Sequence, residues 1–157
     1  MPAELWLEAA SGGVPGAPAE VAPVLAVRFS AADHLVIDAT APIEQPGEDV
    51  LTYERWLRLW CEEPPPNFLK NLKLWREGPP IRGVSEAWGT AQSYEPPVQT
   101  RRHATYPFGD APHVLDITTL WTTGQVGPWI VLQWQLSPRV IPGPQTEITY
   151  RISIDEY

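Results

Sequence analysis

Three histidines, one cysteine and nineteen carboxylates are the groups on which this chain could build a reactive site. His103 and His113 flank Asp110 and precede Asp116, so a mixed His/Asp metal site can be drawn. The spacing matches no tight zinc pattern, in which two histidines stand about three to five residues apart. The surrounding stretch, TYPFGDAPH, reads as a loop in which histidine is ordinarily solvated. Arg101-Arg102-His103 offers charge for an anion, but adjacent side chains on an extended chain point different ways. The trio therefore reads as an exposed basic spot able to meet an acidic neighbour. Cys61 reads as a core position on a strand, since a catalytic thiol needs a histidine base beside it. As the only cysteine it forms no intrachain disulfide. Glu62-Glu63 are neighbours whose side chains face opposite sides of a strand, not an acid and base pair. No nucleophile elbow, phosphate loop or dinucleotide glycine pattern is present. The expectation is a protein that is not an enzyme and holds no metal or cofactor.

The aromatic residues carry the stronger signal. Eight tryptophans (Trp6, Trp56, Trp60, Trp75, Trp88, Trp121, Trp129 and Trp134) exceed what one small core encloses well. A tryptophan left at a surface either stacks on sugar or anchors a protein interface. The residues expected to make contacts are Leu5, Trp6, Leu7, Trp88, Tyr94, Trp121 and Trp129, with Arg101 and Arg102 as charged neighbours. Trp88, Tyr94, Trp121 or Trp129 would supply the stacking platform if the ligand were carbohydrate.

Composition limits the scaffold that could present them. Of 157 residues 19 are proline, more than twice the usual ~5%. Prolines at that density interrupt helices and central strands, which excludes a helical bundle and disfavours a doubly wound α/β fold. The net charge is −8 and is unevenly spread. Residues 1–50 carry eight acids against Arg28 alone, whereas residues 51–102 carry eight bases against six acids. An acidic chain repels phosphate backbones, so nucleic acid is not an expected partner. The polarity between the first third and the middle is suited to orienting neighbouring copies. The opening MPAELWLEAA lacks the basic start of a signal peptide. No apolar run approaches the ~18 residues of a membrane span. A soluble protein made in a cytoplasm is expected, with no membrane partner.

Alternation of period two supplies the elements. Leu25, Val27 and Phe29 form one run, and Leu35-Val36-Ile37 a short second one. Ile130, Leu132, Trp134 and Leu136 form another, as do Ile148, Tyr150, Ile152 and Ile154. The last two runs are joined by SPRVIPGPQTE and read as a hairpin with a long loop, each strand buried on one face. Residues 50–63 fit both periods, with Tyr53, Trp56, Leu57 and Trp60 at helical spacing. The neighbouring strands tip this segment to a strand. NLKLWREG and VLDITTLWTT (residues 114–123) supply more strands. Residues 9–20 (AASGGVPGAPAE) read as an extended linker that carries the apolar tip Leu5-Trp6-Leu7.

Residues 67–97 (NFLKNLKLWREGPPIRGVSEAWGTAQSYEPP) resemble β-sandwich virion structural proteins of tailed bacteriophages. The resemblance rests on Asn71, Leu74, Trp75, Gly78, Trp88, Gly89, Thr90 and Tyr94, a strand and turn followed by a W-G-T-x-x-x-Y strand. It implies a subunit that decorates a capsid or belongs to the tail, located in the virion and free of catalytic residues.

The expected architecture is all-β: one antiparallel β-sandwich, immunoglobulin-like or jelly-roll, over residues 21–157. Its loops are proline-rich, and residues 1–20 form an extended N-terminal arm. The expected function is that of a structural subunit bound to other copies of itself or to capsid or tail subunits. A carbohydrate-binding module is the alternative.

Overall fold

Residues 55–63 (RWLRLWCEE) alternate so that both faces of an extended segment are useful. Leu57, Leu59 and Cys61 take one side, and Trp56, Arg58 and Trp60 the other. Pro64-Pro65-Pro66 ends the run because proline cannot donate to a ladder. In the structure, a computed structural model, this segment is a strand. The structure describes residues 4–24, 29, 47–67, 69–77, 81–107, 113–119, 123, 126–140 and 149–156, with 71, 113–119 and 156 as backbone alone.

All described elements are strands. They are β1 (Glu4–Ser11), β2 (Glu20–Pro23), β3 (Val50–Leu51), β4 (Arg55–Glu63) and β5 (Leu69–Glu77). They continue as β6 (Val84–Ala91), β7 (Tyr106–Pro107), β8 (His113–Thr119), β9 (Trp129–Leu136) and β10 (Thr149–Glu156). A seven-stranded sheet runs β2-β1-β4-β9-β6-β7, with β3 paired to β9. A three-stranded sheet runs β10-β5-β8. Every described pairing is antiparallel. The β-sandwich expectation is met.

The core lies between the sheets. Leu57, Leu59 and Cys61 of β4, Ile130 and Leu132 of β9 and Trp88 of β6 meet Leu69, Leu72 and Leu74 of β5. Tyr150, Ile152 and Ile154 of β10 pack against the same cluster. A polar clamp crosses the interface. Arg76 of β5 is ion-paired with Glu86 of β6, both almost fully buried. The Tyr150 hydroxyl donates to Glu86 Oε1 at 2.5 Å and accepts from Trp134 Nε1 at 2.8 Å. Burial first, and the Glu86 bond second, push this hydroxyl far above the ordinary phenol range, so it stays a donor.

The last two long strands do not form the expected hairpin. β9 sits in the middle of the large sheet, against β4 and β6, while β10 pairs with β5 in the other sheet. Local alternation gives each strand its faces but carries no information about its partner. Leu132 is 1% exposed and Ile152 is half-buried, so the two should respond differently to truncation. Leu132→Ala is expected to cost about 2–5 kcal/mol in chemical denaturation, and Ile152→Ala less. A loss below ~1 kcal/mol at Leu132 would contradict the core assigned here.

Residues 4–24 do not extend away from the domain as an arm. β1 lies inside the large sheet, with Leu5, Trp6 and Leu7 opposite Cys61, Trp60 and Leu59. The Gly/Pro stretch after it is a turn and not a linker. Val14 and Ala17 exchange two backbone hydrogen bonds, N to O at 3.0 and 2.9 Å, around Pro15-Gly16. Proline followed by Gly16 at φ +79° is the signature of a type II turn. The strand expected over 25–29 lies outside the described residues except for Phe29, whose ring stacks on Trp134 at 4.5 Å. The run at 35–37 lies wholly outside them.

The outer face of the large sheet is not simply solvated. Residues 92–105 lie across it and bury Trp56, Trp129 and Val131 with Tyr94 and Ala104. This close approach explains Gly89 of β6, where a Cβ would overlap the His103 carbonyl.

Candidate protein-contact surface

The covering segment 92–105 is fastened by a buried carboxylate. Glu54 is fully buried just before β4. Arg102 reaches it with Nη2 at 2.7 Å and Nε at 3.0 Å from Oε1, and gives a second Nη2 bond to the Pro96 carbonyl at 2.7 Å. Trp56 Nε1 and the Val98 amide also donate to Glu54 Oε1, each at 3.3 Å. Glu95 closes the lock at its rim, 2.6 Å from His103 Nε2 and 3.2 Å from Arg102 Nη1. Arg102 is therefore a structural anchor and not a docking charge. Arg101 is exposed, but it too has partners: the Ala104 carbonyl at 2.8 Å and Gln135 Oε1 at 3.3 Å.

The hydrogen bond from His103 holds the Glu95 carboxyl below its ordinary value of 4.5. The charges of Arg102 and His103 add to this, against an opposing effect of burial. A carboxylate depressed by folding contributes stability that is present above its unfolded value and lost as pH falls through the lower folded value. Acidification through and below that ordinary value should therefore loosen segment 92–105. Hydrogen exchange at the Trp56 indole, edge-on to His103 at 5.3 Å, would report the loosening. Glu95→Gln should flatten that dependence, and an unchanged slope would exclude Glu95 as its source.

Three of the aromatic contact candidates are core residues. Trp88 is 4%, Tyr94 2% and Trp129 5% exposed, so they form neither a protein hot spot nor a sugar platform. Trp88 faces the intersheet core. Tyr94 and Trp129 pack against Trp56 with centroids 5.4 and 6.0 Å away, and the Tyr94 hydroxyl donates to the Gly12 carbonyl at 2.7 Å. Trp121 lies outside the described residues. Leu5 and Leu7 are half-buried against the core. Among the described residues no group of three or more His, Cys, Asp and Glu is placed to hold a metal ion; Asp110, one member of the His/Asp set that could be drawn, lies outside them. Burial, and then Glu63 and Glu62, push the Cys61 thiol up, the opposite of an activated nucleophile. No described helix is long and apolar enough to cross a membrane.

Trp6 is the described aromatic contact candidate that remains at the surface, 44% exposed, and the fold gives it neighbours. Trp6 is directly opposite Trp60 on β4. Trp60 is in turn bridged to Val126, which is 42% exposed. Residues opposite one another in an antiparallel ladder share a face. Trp6, Trp60 and Val126 therefore form a row across the outer face at the end where β1 begins and β4 finishes. Glu4 Oε1 accepts from the Trp6 indole at 3.3 Å. The sequence points to Trp6, but Trp60 and Val126 escape it. Trp56 and Trp60 lie on the same strand face, and only the path of segment 92–105 decides which of them is covered. Comparison of the chain with protein-family models, with curated proteins and with solved structures finds no match.

Proposed function

We propose that this protein is a non-enzymatic structural subunit of a virus particle, a capsid-decoration or tail protein of a tailed bacteriophage, acting through protein-protein contacts. The observation that carries the reading is the outer-face row of Trp6, Trp60 and Val126. Partly exposed indoles favour being covered, at about 25 cal/mol per Å² of apolar area, and tryptophan is among the strongest interface anchors. The β-sandwich and the resemblance over residues 67–97 support the same reading. The test is co-sedimentation of the full chain with purified phage particles, together with its solution mass. Trp6→Ala should leave the circular dichroism unchanged and weaken particle association at least ~10-fold, as expected for an anchor. A chain that never associates with particles would overturn the proposal.

The alternative, a carbohydrate-binding module, is favoured by the polar groups beside the same indoles. It requires Trp6 and Trp60 in place of the buried residues first expected to stack on sugar. Specific binding on a glycan array, lost with Trp6→Ala in a monomeric protein, would support it.

A further inference from the structure

The charges around the exposed row restrict what can cover it. Glu4 stands opposite Glu63 across the β1–β4 ladder, and the register shift between Glu4 and Leu5 leaves Glu62 as an extra residue beside them, which breaks the strict alternation of Glu62 and Glu63. None of the three is ion-paired among the described residues. Like charges directly opposite one another weaken a ladder, so this end of the sheet carries an electrostatic cost that a cation would relieve. Glu8, two residues beyond Trp6 on β1, is already neutralised by Arg58 at 3.0 Å. The guanidinium of Arg58 also lies 4.4 Å from the Trp129 ring centroid.

A second copy of the chain is a poor source of that cation. Of the 11 Lys and Arg residues, Arg58, Lys73, Arg76, Arg102 and Arg151 are ion-paired within the chain. Four of the eight bases in the middle third are thus paired internally, and Arg101 is bonded to the Ala104 carbonyl and Gln135, which thins the basic face that a second copy could offer. Each copy as a whole carries −8, so copies repel. Nucleic acid and anionic lipid are repelled for the same reason.

We infer that the row of Trp6, Trp60 and Val126, with Glu4, Glu62 and Glu63 at its end, docks a polypeptide segment of a different protein that carries Lys or Arg beside an apolar side chain. The apolar side chain covers the indoles. The cation meets the carboxylates or lies over an indole face, where a cation is attracted by the ring quadrupole. The inference rests on the protein-contact reading above and specifies its partner.

The experiment is calorimetric titration of the full chain with a blocked peptide of three Gly-Lys-Leu repeats. Peptides of Gly-Ser-Leu and of Gly-Glu-Leu repeats serve as comparisons. Saturable binding of the lysine peptide alone is expected. Trp6→Ala and the double change Glu4→Gln/Glu63→Gln should each weaken it at least ~10-fold, the scale of one lost anchor. Glu48→Gln, beside β3 at the opposite end of the sheet, should leave it unchanged. Equal binding of the three peptides, indifference to Trp6→Ala, or an equal loss with Glu48→Gln would overturn the inference. Self-association through the row, or capture of a neutral glycan there, would do so too. A chain that sediments with particles yet ignores the lysine peptide sinks this inference and leaves the structural-subunit reading standing. Peptide binding without particle association does the reverse.

Discussion

Alanine at position 89 is expected to detach residues 92–105 from the large sheet, although it adds one carbon to a small residue in a strand. Gly89 has ordinary strand geometry, so the backbone itself would accept alanine. The obstacle is the main chain opposite, because the added Cβ overlaps the carbonyl of His103 and crowds the Ala104 nitrogen. Neither atom is the end of a flexible side chain, so the segment must shift as a whole. The shift pulls Arg102 from Glu54 and uncovers Trp56, which is 0% exposed. A loss of more than ~4 kcal/mol is exceptional for one substitution and is tied to mechanisms of this kind. We expect Gly89→Ala to reach that range in urea denaturation, with indole emission shifted to the red in the native baseline. A loss under ~1 kcal/mol would show that the segment does not lie against β6.

Arg102→Met should be the next most damaging change, and more damaging than Glu54→Gln. Removing the guanidinium strands a carboxylate whose side chain is 0% exposed, leaving it only the Trp56 and Val98 donors. Breaking a buried pair in this way costs about 3–5 kcal/mol. The reverse change is milder. Glutamine keeps a carbonyl for both donors, and the Arg102 side chain, 28% exposed, retains Glu95 and solvent. A cost of about 1–2 kcal/mol is expected for Glu54→Gln. The double variant should be more stable than the sum of the single losses, because the stranded charge is gone. Equal losses for the two single variants would rule out the buried charge as the cause.

The strands were legible where alternation was strong. Ile130, Leu132, Trp134 and Leu136 announce β9, whereas residues 50–63 fit both periods and only the neighbouring strands tip them toward β4. The second face of β9 was not legible. Gln133 reads as a solvent-facing residue, yet it is 0% exposed and its amide donates to the carbonyls of Thr52 and Thr100. A window of sequence shows that a face is polar, not that a segment distant in the chain arrives with acceptors for it. The same limit governed the tryptophans. Their number signalled an excess over the core, but the surface members depended on where residues 92–105 run. The N-terminal stretch misled for another reason. Val14-Pro15-Gly16-Ala17 has the composition of a flexible linker and of a tight turn alike, and only the pairing of β1 with β4 separates the two.

The outermost of the described strands of the large sheet bear on how many copies can crowd together without harm. β2 has four residues and ends in Pro23, while β7 has two, the second being Pro107. Such rims offer an incoming backbone few donors in register, and proline removes one from each. Among the described residues, both sides of this sheet therefore resist growth by templated strand addition. In a setting of very high local concentration, this sheet would give neighbouring copies no continuous ribbon on which to seed a fibril.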